Sequence, residues 1–330
     1  WAFITPCQWQ VTTDHITLHD PAHLGLNEAA SRELLAIVAP WFAEDGVTLH
    51  YDQPTRWLAS SPLFATLATA SLDGSISLWK TEGLLVRRIQ VHPKPALGIA
   101  FSPDGELLAT ASADGTVAVL APSGQIRLRI TGHRTNVLTV AWSPDGKLIA
   151  SGSEDMTVRV HTRTGSLVTT LTGQMQPVTA VEFSRDGNLL AIAERGTHLL
   201  IRETRLWGMK TLVRAHRDVV WDTAVSRDSR FIATGSKDQS LRVWKSSGEP
   251  HVTFENLPSE VWTVTFSPDG THLACGLRSG TTLVYNLASA SLVHTLAGHR
   301  DGVLGIAWSP DGKYLATASR DATVRIWEGL

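Results

Sequence analysis

The sequence has little of several features that would place it in a particular class of protein. It contains only two cysteines, Cys7 and Cys275, so it has neither a disulfide framework nor a cysteine pair spaced for a metal. Its 29 basic and 31 acidic residues give a formal charge of −2, which provides no bulk attraction for nucleic acid or membranes. No run of 18 apolar residues is present, and the sequence as given shows no basic-then-apolar leader. These absences lead us to expect a cytoplasmic protein without a membrane span.

What the sequence does have is a repeated turn, Ser-Pro-Asp-Gly or a close variant, in steps of 41 or 42 residues. One more step back reaches Ser61-Pro62, where the turn is altered but the following run ATLATASLDGSISLWK is kept. Short alternating apolar and polar runs between Gly, Asp, Ser and Pro predict strands joined by tight turns. One such sheet is too small to be stable alone, so the seven copies must stack. The clear turns begin at Ser102, Ser143, Ser184, Ser226, Ser267 and Ser309.

A second set of residues keeps the same period: a His, a Ser-x-Asp 20 residues later, and a Trp six residues after the Asp. With Gly-His opening a unit and Trp closing it, residues 46–330 resemble the WD-repeat β-propeller family. The Trp-Asp dipeptide of that family is altered here, as in Trp327-Glu328. The resemblance implies an all-β fold, a seven-bladed β-propeller with four-stranded antiparallel blades.

The resemblance also implies that His, Ser, Asp and Trp of one copy form a hydrogen-bonded chain inside the blade, because buried carboxylates need donors. The same three polar types make a catalytic triad in other proteins, but their recurrence at one spacing favours a structural role, and we predict no catalytic residue. The complete sets are His216, Ser236, Asp238 and Trp244, and His299, Ser319, Asp321 and Trp327.

The last copy ends immediately after its third strand, which would leave a sheet edge unpaired at the junction between the first and last copies. The segment at residues 46–51 has the length and alternation of an outer strand. We therefore predict that it completes the last blade, so that residues 46–330 form the closed propeller and residues 1–45 a separate N-terminal segment.

Residues 1–45 do not repeat and predict a short α/β extension, with strands in Trp1–Thr5 and Gln8–Thr13 and one helix that begins after Asn27. Residues 1–60 also resemble part of bacterial phosphoglycerate-mutase-like proteins, which favours a bacterial source. This stretch is too short for a catalytic domain. A metal site is a further possibility, although the HITLH alternation reads more simply as a strand; the potential ligands are Asp14, His15, His19, Asp20 and His23.

In a propeller, the residue between Ser and Asp and the residue five positions after the His face one rim. The first position is basic in four consecutive copies, at Arg195, Lys237, Arg278 and Arg320. The second places Trp221 and Trp262 side by side in neighbouring copies, and Arg217 and Arg300 follow their His residues directly. Trp and Arg carry much of the energy of protein interfaces. The alternative is that both Trp residues pack inward and the basic residues are solvated turn residues.

These patterns predict a non-catalytic, monomeric scaffold for protein–protein contact that binds an acidic or phosphorylated segment on its rim. We expect no cofactor, metal or small-molecule substrate, and a local basic patch on a chain that is not basic overall disfavours nucleic acid. The alternative is a regulatory propeller of a larger ATPase, kinase or protease whose catalytic domain lies upstream of Trp1.

Overall fold

The structure, a computed structural model, describes residues 9–12, 15–18, 47–50, 55–60, 66–80 and 85–330. In these segments the regular elements are all strands, and none of the described residues forms a helix long and apolar enough to cross a membrane. Three strands precede the first blade: β1 (Trp9–Thr12), β2 (His15–Leu18) and β3 (Val47–His50).

Each of the next six blades is a four-stranded antiparallel sheet whose strands, A to D, follow one another in chain order. Blade 1 comprises β4 (Thr55–Ser60), β5 (Thr66–Ser71), β6 (Ser75–Lys80) and β7 (Leu85–Gln90). Blade 2 comprises β8 (Ala96–Phe101), β9 (Leu108–Ser112), β10 (Val117–Leu120) and β11 (Ile126–Ile130). Blade 3 comprises β12 (Val137–Trp142), β13 (Leu148–Ser153), β14 (Val158–Thr162) and β15 (Leu167–Leu171).

The remaining blades continue the same order. Blade 4 comprises β16 (Val178–Phe183), β17 (Leu189–Glu194), β18 (His198–Glu203) and β19 (Met209–Arg214). Blade 5 comprises β20 (Val220–Val225), β21 (Phe231–Ser236), β22 (Leu241–Lys245) and β23 (Pro250–Phe254). Blade 6 comprises β24 (Val261–Phe266), β25 (His272–Leu277), β26 (Thr282–Asn286) and β27 (Ser291–Leu296). Blade 7 begins with β28 (Val303–Trp308), β29 (Tyr314–Ser319) and β30 (Thr323–Glu328).

The fourth strand of blade 7 comes from the other end of the chain. Strand β3 pairs antiparallel with β30, with Val47 opposite Ile326 and His50 opposite Thr323. Strand A of each blade contacts strand A of both neighbours, including β28 with β4, so the ring is closed. The predicted seven-bladed, four-stranded architecture is thus confirmed. The pairing also leaves strand β30 without an open edge, which is the usual liability of a terminal strand.

The hairpin of β1 and β2 extends blade 7 further, because β2 runs parallel to β3 and makes this sheet six-stranded. Strand β1 falls within the predicted Gln8–Thr13, and β2 covers most of the HITLH run. The predicted strand Trp1–Thr5, the helix after Asn27 and most of the possible metal ligands lie outside the described residues. The division of the chain at residue 46 stays a prediction.

Small residues in strand B let neighbouring blades pack closely face to face. A Cβ on Gly152 would lie 2.5 Å from Val178 Cγ1 of the next blade, and one on Gly276 would lie 2.7 Å from Val303 Cγ1. Real Cβ atoms do not approach carbon this closely, because non-bonded carbon atoms repel each other at separations well below about 3.5 Å. The tightly packed interior leaves little space for the neighbouring blade to move away. The runs rich in Ala, Gly and Ser in the sequence are therefore a consequence of blade packing. The resulting rigid ring fixes the positions of the loops at both of its ends.

Candidate protein-binding surface

The His and Asp residues of four blades pair inside their own blades, below the rim. In blade 5, His216 Nδ1 lies 3.1 Å from Asp238 Oδ2, and in blade 7, His299 Nδ1 lies 3.1 Å from Asp321 Oδ2. Burial opposes ionisation of Asp238, but hydrogen bonds from His216, the Arg217 amide and Ser240 outweigh burial and hold the pKa of Asp238 well below its usual range. The pair therefore locks the loop before strand A to the turn between strands B and C.

The hydroxyl of this chain is not the predicted one. In blade 5, His216 Nε2 lies 2.8 Å from Thr234 Oγ1, which also accepts the Trp244 indole N–H at 3.0 Å. Ser236 instead accepts the Asp238 amide at 3.1 Å and so caps the turn. In blade 7 the corresponding hydroxyl belongs to Thr317, and Ser319 likewise caps its turn. The residue two positions earlier on strand B lies deeper in the blade, so its hydroxyl group reaches the imidazole ring of the buried His.

Blades 4 and 6, which have neither the His nor the Asp of the set, differ from each other. In blade 4 the carboxylate comes from the buried Glu194, at the position of the Ser, which accepts the Met175 amide at 3.1 Å. Its other oxygen lies 3.6 Å from His198 Nδ1 at the start of strand C. In blade 6 the corresponding positions are apolar, with Leu257 and Leu277 both buried. The sequence spacing could not find the Glu194–His198 pair, because both groups lie at positions that other blades use differently.

A β-bulge at the start of every strand A leaves one residue outside the ladder with strand B; this residue is buried as Leu97, Leu138 and Thr179 and half-buried as Trp221 and Trp262. The register of strands A and B shifts around residues 221 and 262 and at the matching place in all other blades. A bulge adds one unpaired residue to a strand and re-aims its side chain. That residue is the one five positions after the His position. In blades 5 and 6 it is Trp221 and Trp262.

Trp262 is held in place by both its own blade and the next. Its Nε1 donates to Glu260 Oε2 at 3.0 Å, while Glu260 Oε1 accepts Arg278 Nη1 at 2.8 Å. The ring covers Gly302 of blade 7 so closely that a Cβ there would overlap it. Trp262 remains half-buried rather than fully buried. This aromatic surface is therefore both rigid and partly accessible, which suits an interface anchor.

Trp221 lacks the partner that Trp262 has. It is also half-buried, but its Nε1 atom is buried without a hydrogen-bond partner among the described residues. The residue two positions earlier is Val219, where blade 6 has Glu260. An unpaired indole N–H is unfavourable, because it loses its hydrogen bond to water. The two Trp residues are thus presented alike by the backbone but stabilised differently.

The basic rim residues Arg195, Lys237, Arg278 and Arg320 are exposed, and each lies close to a carboxylate. The pairs are Arg195–Glu154 at 3.5 Å, Lys237–Asp218 at 3.6 Å, Arg278–Glu260 at 2.8 Å and Arg320–Asp301 at 4.0 Å. Exposed pairs of this kind contribute only about 0–1 kcal/mol each. The sequence missed these carboxylates because they lie in the loop before strand A or on the neighbouring blade.

Arg217 and Arg300 are the two predicted rim cations whose side chains form no ion pair among the described residues. Their amides donate to Asp238 at 2.9 Å and Asp321 at 2.8 Å, which fixes the backbone and leaves the guanidinium groups in solvent.

The residues from 67 onwards whose side chains are described contain no cluster of three or more potential metal ligands.

The comparisons with known proteins agree with this architecture. The family model of the WD domain, G-beta repeat, matches more than half of the chain, at residues 83–119, 124–162, 165–198, 209–245, 248–286 and 290–328. Most matched segments begin close to strand D of one blade and end with strand C of the next. The sequence repeat is therefore offset from the blade by one strand, which is why the ring must be completed by a strand from the other end.

Similar curated relatives include WD repeat-containing protein ATCSA-1 of Arabidopsis thaliana, 31% identical over 105 residues, which are 31% of this chain and 23% of the relative. Actin-interacting protein 1 of Caenorhabditis elegans is 33% identical over 109 residues, 32% of this chain and 18% of the relative. Striatin-3 of Homo sapiens is 30% identical over 146 residues, 37% of this chain and 18% of the relative. The matches span less than a quarter of the length of these relatives.

Proposed function

The chain belongs to the WD domain, G-beta repeat family, and from this premise we propose that it is a non-catalytic scaffold that binds a protein partner on its rim. A relative named for its interaction with actin supports a protein partner rather than a small molecule. The His–Asp pairs recur in four blades and serve to fix loops, which supports a structural role for them. We extend the proposal to a monomeric protein of the cytoplasm.

The observation that carries the proposal is the pair of half-buried Trp residues at equivalent bulges of neighbouring blades. Arg217 and Arg300 lie in the loops that lead into strand A of blades 5 and 7, on either side of the blade that carries Trp262. We propose that an acidic or phosphorylated segment covers both indoles while its anionic groups bind these guanidinium groups. The weak exposed pairs of Lys237 and Arg320 could exchange their carboxylates for those of the partner.

The proposal can be tested on an array of acidic 15-residue peptides, each synthesised with and without phosphoserine. The substitutions Trp221→Ala and Trp262→Ala should together weaken binding by about 2 kcal/mol or more, which is about 30-fold. Arg217→Ala should weaken it several-fold. Arg134→Ala is the matched control, because Arg134 follows the His of blade 3 and donates its amide to Asp155 in the same way.

Arg134→Ala should leave both binding and stability unchanged. The Trp variants should melt within a few degrees of the wild type. A collapse of the melting temperature would instead identify Trp221 and Trp262 as core residues. An array on which no acidic peptide binds, or on which binding survives both Trp substitutions, would refute the rim site.

A further inference from the structure

The opposite end of the ring is formed by the turns between strands A and B and between strands C and D. In blades 2, 3, 6 and 7 the second residue of the A–B turn is proline, which presets the backbone angle of such turns. Blades 4 and 5 have Arg185 and Arg227 there instead. Their turns close with the same hydrogen bond, from Gly187 N to Ser184 O at 2.9 Å and from Ser229 N to Ser226 O at 2.9 Å. The arginines are therefore not required by the turn geometry.

Hydrogen bonds join the turns of blades 4 and 5 into one surface. The Asp186 amide donates to Ser229 Oγ of the next blade at 3.0 Å. Ser229 has φ of +60°, a left-handed conformation that is unfavourable for a residue other than glycine. The C–D turn of blade 4 is bound to its A–B turn, because the Thr204 amide donates to Asn188 O at 2.9 Å. The three turns therefore cannot move independently.

The C–D turn of blade 4 presents an apolar side chain to solvent. Trp207 has φ of +58°, a genuine outlier for a bulky residue, and its ring packs edge-on against Phe183 at 6.5 Å between centroids. Arg202 Nη1 donates to Trp207 O at 3.1 Å and fixes the same turn from inside. Leu206, the preceding residue, is 82% exposed. Burial of Trp207 thus maintains a strained turn whose outer residue is an unprotected leucine, next to the half-exposed Met209.

The cations of this surface differ from those of the rim. Arg185, Arg205, Lys210 and Arg227 are exposed, and none of them forms an ion pair within the described part of the chain. The carboxylates of Asp186 and Asp228 accept hydrogen bonds from their own turns. The other acidic residues in these strand ends and turns are Glu203 and Glu182, and the pKa of Glu182 is raised by desolvation to about 8 despite the charge of Arg185. The surface therefore has an excess of unpaired positive charge around an exposed apolar residue.

We propose that this surface, formed by Arg185, Arg205, Leu206, Met209 and Arg227, binds an acidic protein segment that carries one apolar anchor residue. The unpaired guanidinium groups complement carboxylates, and the anchor covers Leu206 and Met209 and removes their apolar surface from water. An exposed leucine beside a methionine favours a protein over a nucleic acid, whose backbone offers phosphates but no aliphatic group. The site is separate from the rim, so one propeller could bind two partners.

The test is a selection from a phage-displayed library of random 12-residue peptides against the full chain, followed by affinity measurement on the enriched peptides. The key variant is Arg185→Pro with Arg227→Pro, which introduces the residue that the other five copies have at this position. It should fold as well as the wild type. Should it not, Arg185→Gln with Arg227→Gln removes the same charges. Leu206→Ser removes the apolar contact alone, and Trp262→Ala removes the rim site.

The proposal expects enriched peptides that contain several Asp or Glu residues and one large apolar residue. Their affinity should fall at least ten-fold with the double Pro variant and with Leu206→Ser, and should be unchanged by Trp262→Ala. It should also fall as salt is raised from about 50 to about 300 mM, because exposed charges are screened. The proposal is overturned by a selection without variant-sensitive acidic peptides. It is also overturned by a 12-nucleotide single-stranded DNA that binds the surface more tightly than every selected peptide.

Discussion

Two carboxyl groups on neighbouring innermost strands, the half-buried Glu182 and the buried Asp222, should make the propeller less stable as pH rises. Glu182 Oε2 accepts the Val225 amide at 3.1 Å, and Asp222 Oδ2 accepts the Val264 amide at 3.0 Å. Each carboxyl group thus joins strand A of its blade to strand A of the next. Burial raises the pKa of Glu182 to about 8, against the opposing charge of Arg185, and raises the pKa of Asp222 to about 6.

The direction of the effect follows from proton binding. In the unfolded chain both groups ionise near their ordinary pKa values, 4.5 for Glu182 and 3.8 for Asp222. The folded state therefore keeps both protons to higher pH than the unfolded state does. Their stabilisation is therefore complete below about pH 4 and is lost as pH rises to about 8. At about 1.4 kcal/mol per pKa unit, the whole loss amounts to about 5 kcal/mol for Glu182 and about 3 kcal/mol for Asp222.

The assay is urea unfolding of the wild type and Glu182→Gln, followed by tryptophan fluorescence at about pH 5, 7 and 9. Glutamine keeps an oxygen that can accept the Val225 amide and cannot ionise. The difference between the two proteins cancels groups that titrate in both, including His92 and His133, whose pKa values burial lowers. Relative to Glu182→Gln, the wild type should lose about 3–4 kcal/mol between pH 5 and 9.

Glu203→Gln is the control, because the Glu203 side chain is exposed at the end of strand C of blade 4. The difference in unfolding free energy between the wild type and Glu203→Gln should not change with pH. Parallel curves for the wild type and Glu182→Gln across the whole range would refute the reasoning, since they would mean that Glu182 ionises alike in the folded and unfolded chain.

Three further predictions concern the blade interior, the rim and the seam. Trp244→Phe should cost about 1 kcal/mol in chemical denaturation, because Thr234 loses a donor, and an unchanged midpoint would contradict the hydrogen-bonded chain. Gly302→Ala should displace the Trp262 ring, seen as a shift in its fluorescence emission, whereas identical spectra would show that the ring does not cover Gly302. Deletion of residues 1–52 should lower the melting temperature or cause aggregation, because it opens the edge of blade 7, and an intact melt would exclude this seam.

The overall architecture could be predicted from the sequence because its determinants are local and repeated. The turn residues, the alternation of the strands and the spacing of His and Asp recur in several registers, so an altered copy such as Ser61-Pro62 could still be placed. The outer strand at residues 46–51 could be assigned because six copies showed what the last one lacked. A period thus supplies the internal comparison that a single unrepeated segment, such as residues 1–45, cannot supply.

The site could be predicted only in part, because its chemistry depends on contacts between copies. Both tryptophans lie at the start of strand A, five positions after the His position, as the spacing indicates. Glu260 and Gly302, which contact Trp262, lie at positions that vary between the copies. The carboxylates beside the four basic rim residues were not identified from the sequence, because they come from loops and from a neighbouring blade, as Glu154 does for Arg195. Spacing identifies which residues share a rim, but not which of them neutralise each other.

Two blades that lack the His–Asp pair, blades 4 and 6, also carry unusual surface features. Blade 4 replaces it with the Glu194–His198 pair and exposes Leu206 at its other end, while blade 6 replaces it with apolar residues and presents Trp262 on its rim. In a closed ring, each blade packs against two neighbours. A blade that lacks the hydrogen-bonded set is therefore still stabilised from both sides. The loops of blades 4 and 6 therefore do not have to position a His–Asp pair. Blade 5 shows that a complete set does not exclude such features, because it carries the half-buried Trp221 at its strand-A bulge.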